Sequence, residues 1–98
     1  MTTHGEPQVE HNQAHHRYEI IIDDQRSMIQ YQMRGDTIIF VHTEVPPPLE
    51  GRGIAGRMAR FALDDARTHG LKVVPRCPYI ANYIKKHPEY QDLVAHTA

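Results

Sequence analysis

Glu50-Gly51-Arg52-Gly53-Ile54-Ala55-Gly56-Arg57 is the stretch that decides how this chain is read. It runs into Arg57 to His69, RMARFALDDARTH, where Met58, Ala59, Ala62, Leu63 and Ala66 recur on one helical face, with Arg60, Asp64, Arg67 and Thr68 opposite. Gly70 ends this helix as a left-handed cap. A glycine-rich loop that feeds a helix is the setting of an anion site. Glycines let the backbone approach a ligand, the first N–H groups lack intrahelical acceptors, and the helix dipole favours negative charge. Arg52 and Arg57 add charge-assisted donors suited to a phosphate. The Gly-Lys-Ser/Thr ending of a Walker loop is missing, and so is the acidic ribose residue of a dinucleotide fold. Taken alone, the pattern suits equally a glycine-rich connection that only turns the chain into a helix.

Upstream, YEIIID from Tyr18 and MIQYQM from Met28 are β-branched and aromatic, and Ile29, Tyr31 and Met33 alternate with Gln30, Gln32 and Arg34. Thr37 to Thr43, TIIFVHT, makes a third strand. Asp23 to Arg26 supplies the first turn and Arg34-Gly35-Asp36 a tight second one, so this half reads as an antiparallel meander. Pro46-Pro47-Pro48 must stop the ladder or run along an edge, since three residues in a row lack a backbone donor. Downstream of the helix, Leu71 to Val74 is a short strand closed by Pro75, and Tyr79 to Lys86, opening after Pro78, is a short second helix. Beyond Pro88 the chain is expected to fray, with Tyr90 and Leu93 as docking groups. The last strand is expected to pair in parallel with the third, giving an α+β domain with a mixed sheet.

Residues 1–16 have no hydrophobic period and a composition of His, Gln, Glu, Asn, Thr and Gly, which predicts a flexible tail ahead of a single domain over 17–98. His4, His11, His15 and His16 fit no defined metal spacing, so no metal is expected. With 98 residues, 40% of them hydrophobic, there is room for one core. Eleven Lys+Arg against twelve Asp+Glu leave a formal charge of -1, which gives no electrostatic reason to expect nucleic acid or an anionic membrane as partner. No apolar run approaches the roughly 20 residues of a membrane span. One cysteine, with no signal-peptide pattern at the start, predicts a reducing, cytoplasmic setting.

The run VPPPLEGRGIAGRMARFALDDARTHGLKVVP from Val45 to Pro75 resembles motif A of the GCN5-related N-acetyltransferases, with Val45, Pro47, Gly53 and Ala55 in register and Glu50 where that family usually has Gln or Arg. Tyr83-Ile84-Lys85-Lys86-His87-Pro88-Glu89-Tyr90 is similar to the family's Tyr-x-Lys-x-Gly-Phe segment, with one extra residue and Pro for the Gly. The resemblance spans Tyr18 to Tyr90 and is closest to very small single-domain members. It implies acetyl-CoA or CoA as cofactor, an amine as acceptor, and a sheet that splays beside Val45. Larger relatives carry helices between their first two strands for which this chain has no room, so the acceptor groove must be shorter or supplied by a partner.

On that resemblance Gly51, Arg52, Gly53, Ile54, Ala55, Gly56 and Arg57 would hold the pyrophosphate, and the backbone of Thr43 to Val45 would pair with pantetheine like an added strand. A main-chain N–H near Glu44 or Val45 would polarise the thioester carbonyl. His42 is the best general base, since an imidazole exchanges a proton near neutrality, with Glu44 on its strand face as the rival. Its bland alternative is a strand histidine without chemical duty. Cys77 lies where the family commonly uses an Asn to serve the cofactor. A nucleophilic role for it is chemically reasonable beside Arg76 at a helix start, and burial as a small hydrophobe is the ordinary fate of a lone thiol. Tyr83 matches the tyrosine that commonly protonates the departing thiolate, or else it covers the core. The expected activity is N-acetyl transfer to a primary amine by a monomer or weak homodimer. The alternatives are a module that only binds CoA or acetyl-CoA and, less favoured by the Gly-Arg loop, a structural dimerisation domain.

Overall fold

The computed structural model describes residues 7–95. Five strands form one sheet in the order β1 (Glu10–Asn12), β2 (Arg17–Ile22), β3 (Gln25–Arg34), β4 (Thr37–Glu44), β5 (Lys72–Pro75). β1 to β4 pair antiparallel with one another in sequence, and β5 runs parallel to β4. That parallel pair requires a crossover, which α1 (Ile54–Thr68) provides. A second helix, α2 (Pro78–Lys86), follows β5.

Side-chain alternation sorts the sheet into two faces. The cross-strand pairs Tyr18↔Ile29, Tyr31↔Phe40 and Met33↔Ile38 turn toward the helices, while Glu19↔Met28 and Gln30↔His42 turn away. The inner face meets the apolar stripe of α1, where Met58, Ala59, Ala62, Leu63 and Ala66 are fully buried. Met58 and Leu63 each bury a side chain that contributes roughly 2 kcal/mol by transfer alone. On the outer face Glu19 stays buried because Arg17 donates to its carboxylate at 2.7 Å and Arg26 lies at 3.2 Å.

The predicted meander, helix, parallel strand and second helix are all present. The first turn is narrower than the stretch Asp23 to Arg26 suggests. Asp23 and Asp24 both take positive φ, 53° and 64°, which makes a two-residue hairpin, and β3 already starts at Gln25.

Two expectations are corrected. Glu10–Asn12 is not part of a tail but an edge strand on β2, and the turn Gln13–His15 follows it. Its anchor is His11, whose ring stacks on Tyr18 at 4.2 Å between centroids and whose Nε2 lies 2.6 Å from the Tyr31 hydroxyl. The docked His11 ring, with Val9 packed against the core, replaces the hydrophobic period whose absence predicted disorder. His4 lies outside the described residues. At the other end the chain does not fray after Pro88: Pro88–Leu93 forms a 3-10 turn with Tyr90 and Leu93 buried, and the Ala95 N–H donates to the Val73 carbonyl at 2.8 Å.

Candidate functional site

The β4–β5 ladder is short. It pairs Thr37 to Phe40 with Lys72 to Pro75, and its last bond is the Cys77 N–H to the Phe40 carbonyl at 2.8 Å. Pro75 has no donor and Pro78 starts α2, so the chain leaves β4 here. On the β3 side β4 stays paired out to Glu44. Its other edge, from Val41 to Glu44, therefore presents backbone groups without a β5 partner. A bulge accentuates the splay: Gln30 faces His42 and Tyr31 faces Phe40, which leaves Val41 as the extra residue.

Beside this edge lies the loop. Gly51 and Gly53 take φ of 85° and 74°, a region costly for other residues, and a Cβ built on either meets nothing within 4 Å. Space in front of both is thus open. The Glu50 N–H goes to the Pro47 carbonyl and the Arg57 N–H to the Gly53 carbonyl; between them, no backbone N–H from Gly51 to Gly56 has an acceptor among the described residues. A row of unpaired donors at the start of a 15-residue helix is a cradle for an anion. A depression of about 160 Å³ opens over it, lined by Val45, Leu49, Gly51, Gly53, Gly56 and Tyr79 among others. Arg52 is exposed on the loop, whereas the Arg57 guanidinium donates to the Pro7 carbonyl and so also ties the start of the described chain to the loop.

The remaining candidates divide between the two faces of the sheet. On the inner face Thr43 Oγ1 lies 3.0 Å from Cys77 Sγ, and Cys77 is buried at the N-cap of α2. On the outer face His42 Nε2 lies 3.4 Å from Glu44 Oε1, and both side chains are more than half exposed, at 55% and 58%. His42 is thus brought to Glu44 and not to Cys77.

Tyr83 packs over the helix start, where a Cβ on Gly56 would lie 3.9 Å from its Cε2 and 3.6 Å from the Tyr79 hydroxyl. Burial, with Asp64 and Glu89 nearby, pushes the Tyr83 phenol above its ordinary value despite Arg60. The His87 ring stacks on Tyr83 at 4.0 Å and its Nδ1 lies 2.9 Å from the Tyr83 carbonyl, which holds the tyrosine in place. Tyr79 was missed in the sequence. Its spacing of four from Tyr83 after a helix-starting Pro78 was the available signal.

These features test whether a CoA-type cofactor suits the residues present. The open space before Gly51 and Gly53, the unpaired donors behind it and the unpaired β4 edge all fit a pyrophosphate followed by an amide-bearing chain. Among the described residues, no group of three metal-ligating side chains is placed to hold a metal, and no helix is long and apolar enough to cross a membrane.

Comparison with known proteins agrees with the architecture. The chain is 36% identical over 84 residues to Protein NATD1 of Gallus gallus, covering 83% of this chain and 76% of that protein. To Protein NATD1 of Homo sapiens it is 35% identical over 83 residues, covering 82% and 74%. The solution structure of a GCN5-like protein from Staphylococcus aureus superposes with a TM-score of 0.73 over 96% of this chain and 93% of the other, at 21% identity, which shows a shared fold. Residues 17–93 match the family model for the GCN5-related N-acetyl-transferase, and the chain belongs to that family.

Proposed function

We propose that the chain is an acetyl-CoA-dependent N-acetyltransferase acting on a primary amine. The observation that carries this reading is the early end of the β4–β5 ladder at the Cys77–Phe40 bond, which leaves a strand edge beside a row of unpaired loop donors. The N–H groups of Gly51 to Gly56, with Arg52, would hold the pyrophosphate, and the edge at Thr43 to Val45 would pair with the pantetheine amides. Bound acetyl-CoA supplies an activated acetyl thioester. An N–H near Glu44 or Val45 would polarise the thioester carbonyl.

His42 takes a proton from the acceptor ammonium, oriented by Glu44 at 3.4 Å. The Tyr83 hydroxyl has no hydrogen-bond partner among the described residues, and as a phenol it carries its proton at neutral pH, so it would be free to give that proton to the departing thiolate. Cys77, fixed by Thr43 on the other face, positions the cofactor edge and is not acetylated. A monomer or weak homodimer in the cytoplasm, without nucleic acid as partner, fits the single buried thiol and the near-zero charge.

Calorimetric titration with acetyl-CoA and with CoA, followed by thiol release with a panel of amines, tests the reading. Binding with turnover is expected. Binding without turnover for any amine would favour the alternative of a non-catalytic CoA-binding module, which the exposed and unwalled His42–Glu44 pair also accommodates. No binding would sink both.

A further inference from the structure

A larger cavity lies at the other end of α1. It occupies about 350 Å³ between the inner face of the sheet and the C-terminal half of the helix, within the range usual for small-molecule sites. Asp65, on its wall, is eleven residues along α1 from Ile54, about 16 Å at 1.5 Å per residue. This cavity is therefore separate from the loop and the β4 edge.

Its chemistry is specific. Tyr31 and the exposed His16 present rings to it at 5.6 Å between centroids, Leu71 and the exposed Met33 add aliphatic walls, and Tyr18 and Ile38 lie fully buried behind them. Its lining holds one carboxylate and neither lysine nor arginine. Asp65 Oδ2 accepts the Tyr18 hydroxyl at 2.6 Å and faces His11 Nδ1 at 3.4 Å, so the carboxylate is held in place. Oδ1 accepts no hydrogen bond among the described residues: His69 Nδ1, 3.3 Å away, is bonded to the Asp65 backbone carbonyl at 2.9 Å. The Asp65 side chain keeps 22% of its surface accessible. An oriented carboxylate oxygen with spare acceptor capacity, framed by aromatic faces, attracts a cation by charge and by the ring quadrupoles together. Asp65 repels an anion there, while His11, His16, His69 and Gln13 complete the polar lining.

We propose that this cavity binds a small organic ammonium ion with an aromatic body, its nitrogen against Asp65 Oδ1 and its ring among His16, Tyr31, Met33 and Leu71. The separation along α1 makes it an effector or storage site and not the place of any group transfer at β4.

The test uses the full chain and 2-phenylethylammonium as probe, followed by NMR shifts of Tyr31, Met33 and Leu71 at about pH 8, above the ordinary imidazole range. Saturable shifts at these residues are expected, with 3-phenylpropionate, which has a carboxylate in place of the ammonium, binding at least about tenfold more weakly. Asp65→Asn should weaken the probe by about tenfold or more. Since Asp65 also holds Tyr18, a second variant guards against misfolding: Met33→Lys puts an ammonium on an exposed side chain at the cavity wall and should weaken the probe to a similar degree. Gly53→Val should leave probe affinity unchanged, which separates this site from the loop. Equal affinity for the ammonium and the carboxylate, shifts confined to other residues, or wild-type affinity in Met33→Lys would each overturn the proposal.

Discussion

Thr43 Oγ1 and Cys77 Sγ sit 3.0 Å apart across the point where β4 and β5 separate. The contact links the last inward-facing residue of one strand to the cap of the following helix, so the thiol belongs to the hinge of the splay. Cys77→Ala should accordingly retain most turnover, and mass spectrometry of the protein with acetyl-CoA alone should find no acetyl group on Cys77. A stoichiometric, hydroxylamine-sensitive adduct that passes to added amine would establish a covalent route instead.

His42→Ala should lower turnover on the order of a hundredfold while CoA affinity stays near wild type, because the side chain lies on the outer face, away from the loop. Tyr83→Phe should slow turnover without changing CoA affinity. Steady-state rates beside calorimetric binding read both effects, and a parallel loss of affinity in either variant would count against the assigned role.

At the loop, Gly53→Val must place a β-branched residue at φ 74°, a backbone cost of about 1–2 kcal/mol, and it also fills the open space before the donors. CoA binding should fall far more than stability does. Arg52→Ala should weaken binding modestly and flatten its salt dependence. Unchanged affinity in both variants, with circular dichroism intact, would remove the anion cradle.

The docked edge strand makes stability sensitive to acid. Burial lowers the His11 pKa from its ordinary 6.5, against the pull of Asp65, while His69 adds to the lowering. The unfolded chain then binds the proton more readily than the folded one, so the stabilising contribution is complete above 6.5 and is lost as pH falls from there toward the lower folded value. Urea midpoints at about pH 8 and about pH 5 should show this drop in the wild type and a smaller one in His11→Gln.

Deleting residues 1–16 removes β1 together with the ring that covers Tyr18 and meets Tyr31. A loss of about 2 kcal/mol is expected in urea unfolding, in the range of a broken buried contact. Wild-type stability would show that β1 contributes nothing to the fold.

Much was legible in the sequence because it is local. The stripe on α1 repeats within a few residues, the strands alternate, Gly70 and Pro75 punctuate, and the glycines of the loop stand where the backbone needs positive φ. Each of these depends on neighbours no more than about a helical turn or a hairpin away. The motifs resembling an acetyltransferase likewise follow one another along the chain.

Tertiary structure decided what depends on distant partners. Glu10–Asn12 has no pattern of its own and becomes a strand only because β2 offers an edge and Tyr18 a ring for His11. Adjacent aspartates serve opposite directions, Asp64 accepting the Tyr90 hydroxyl at 2.7 Å and Asp65 that of Tyr18 at 2.6 Å, partners 26 and 47 residues away that no local pattern names. The same holds for the candidate site. Strand alternation counted from the inward Phe40 would turn His42 inward, and the bulge at Val41, set by pairing with β3, instead sent His42 to the outer face and Thr43 to Cys77.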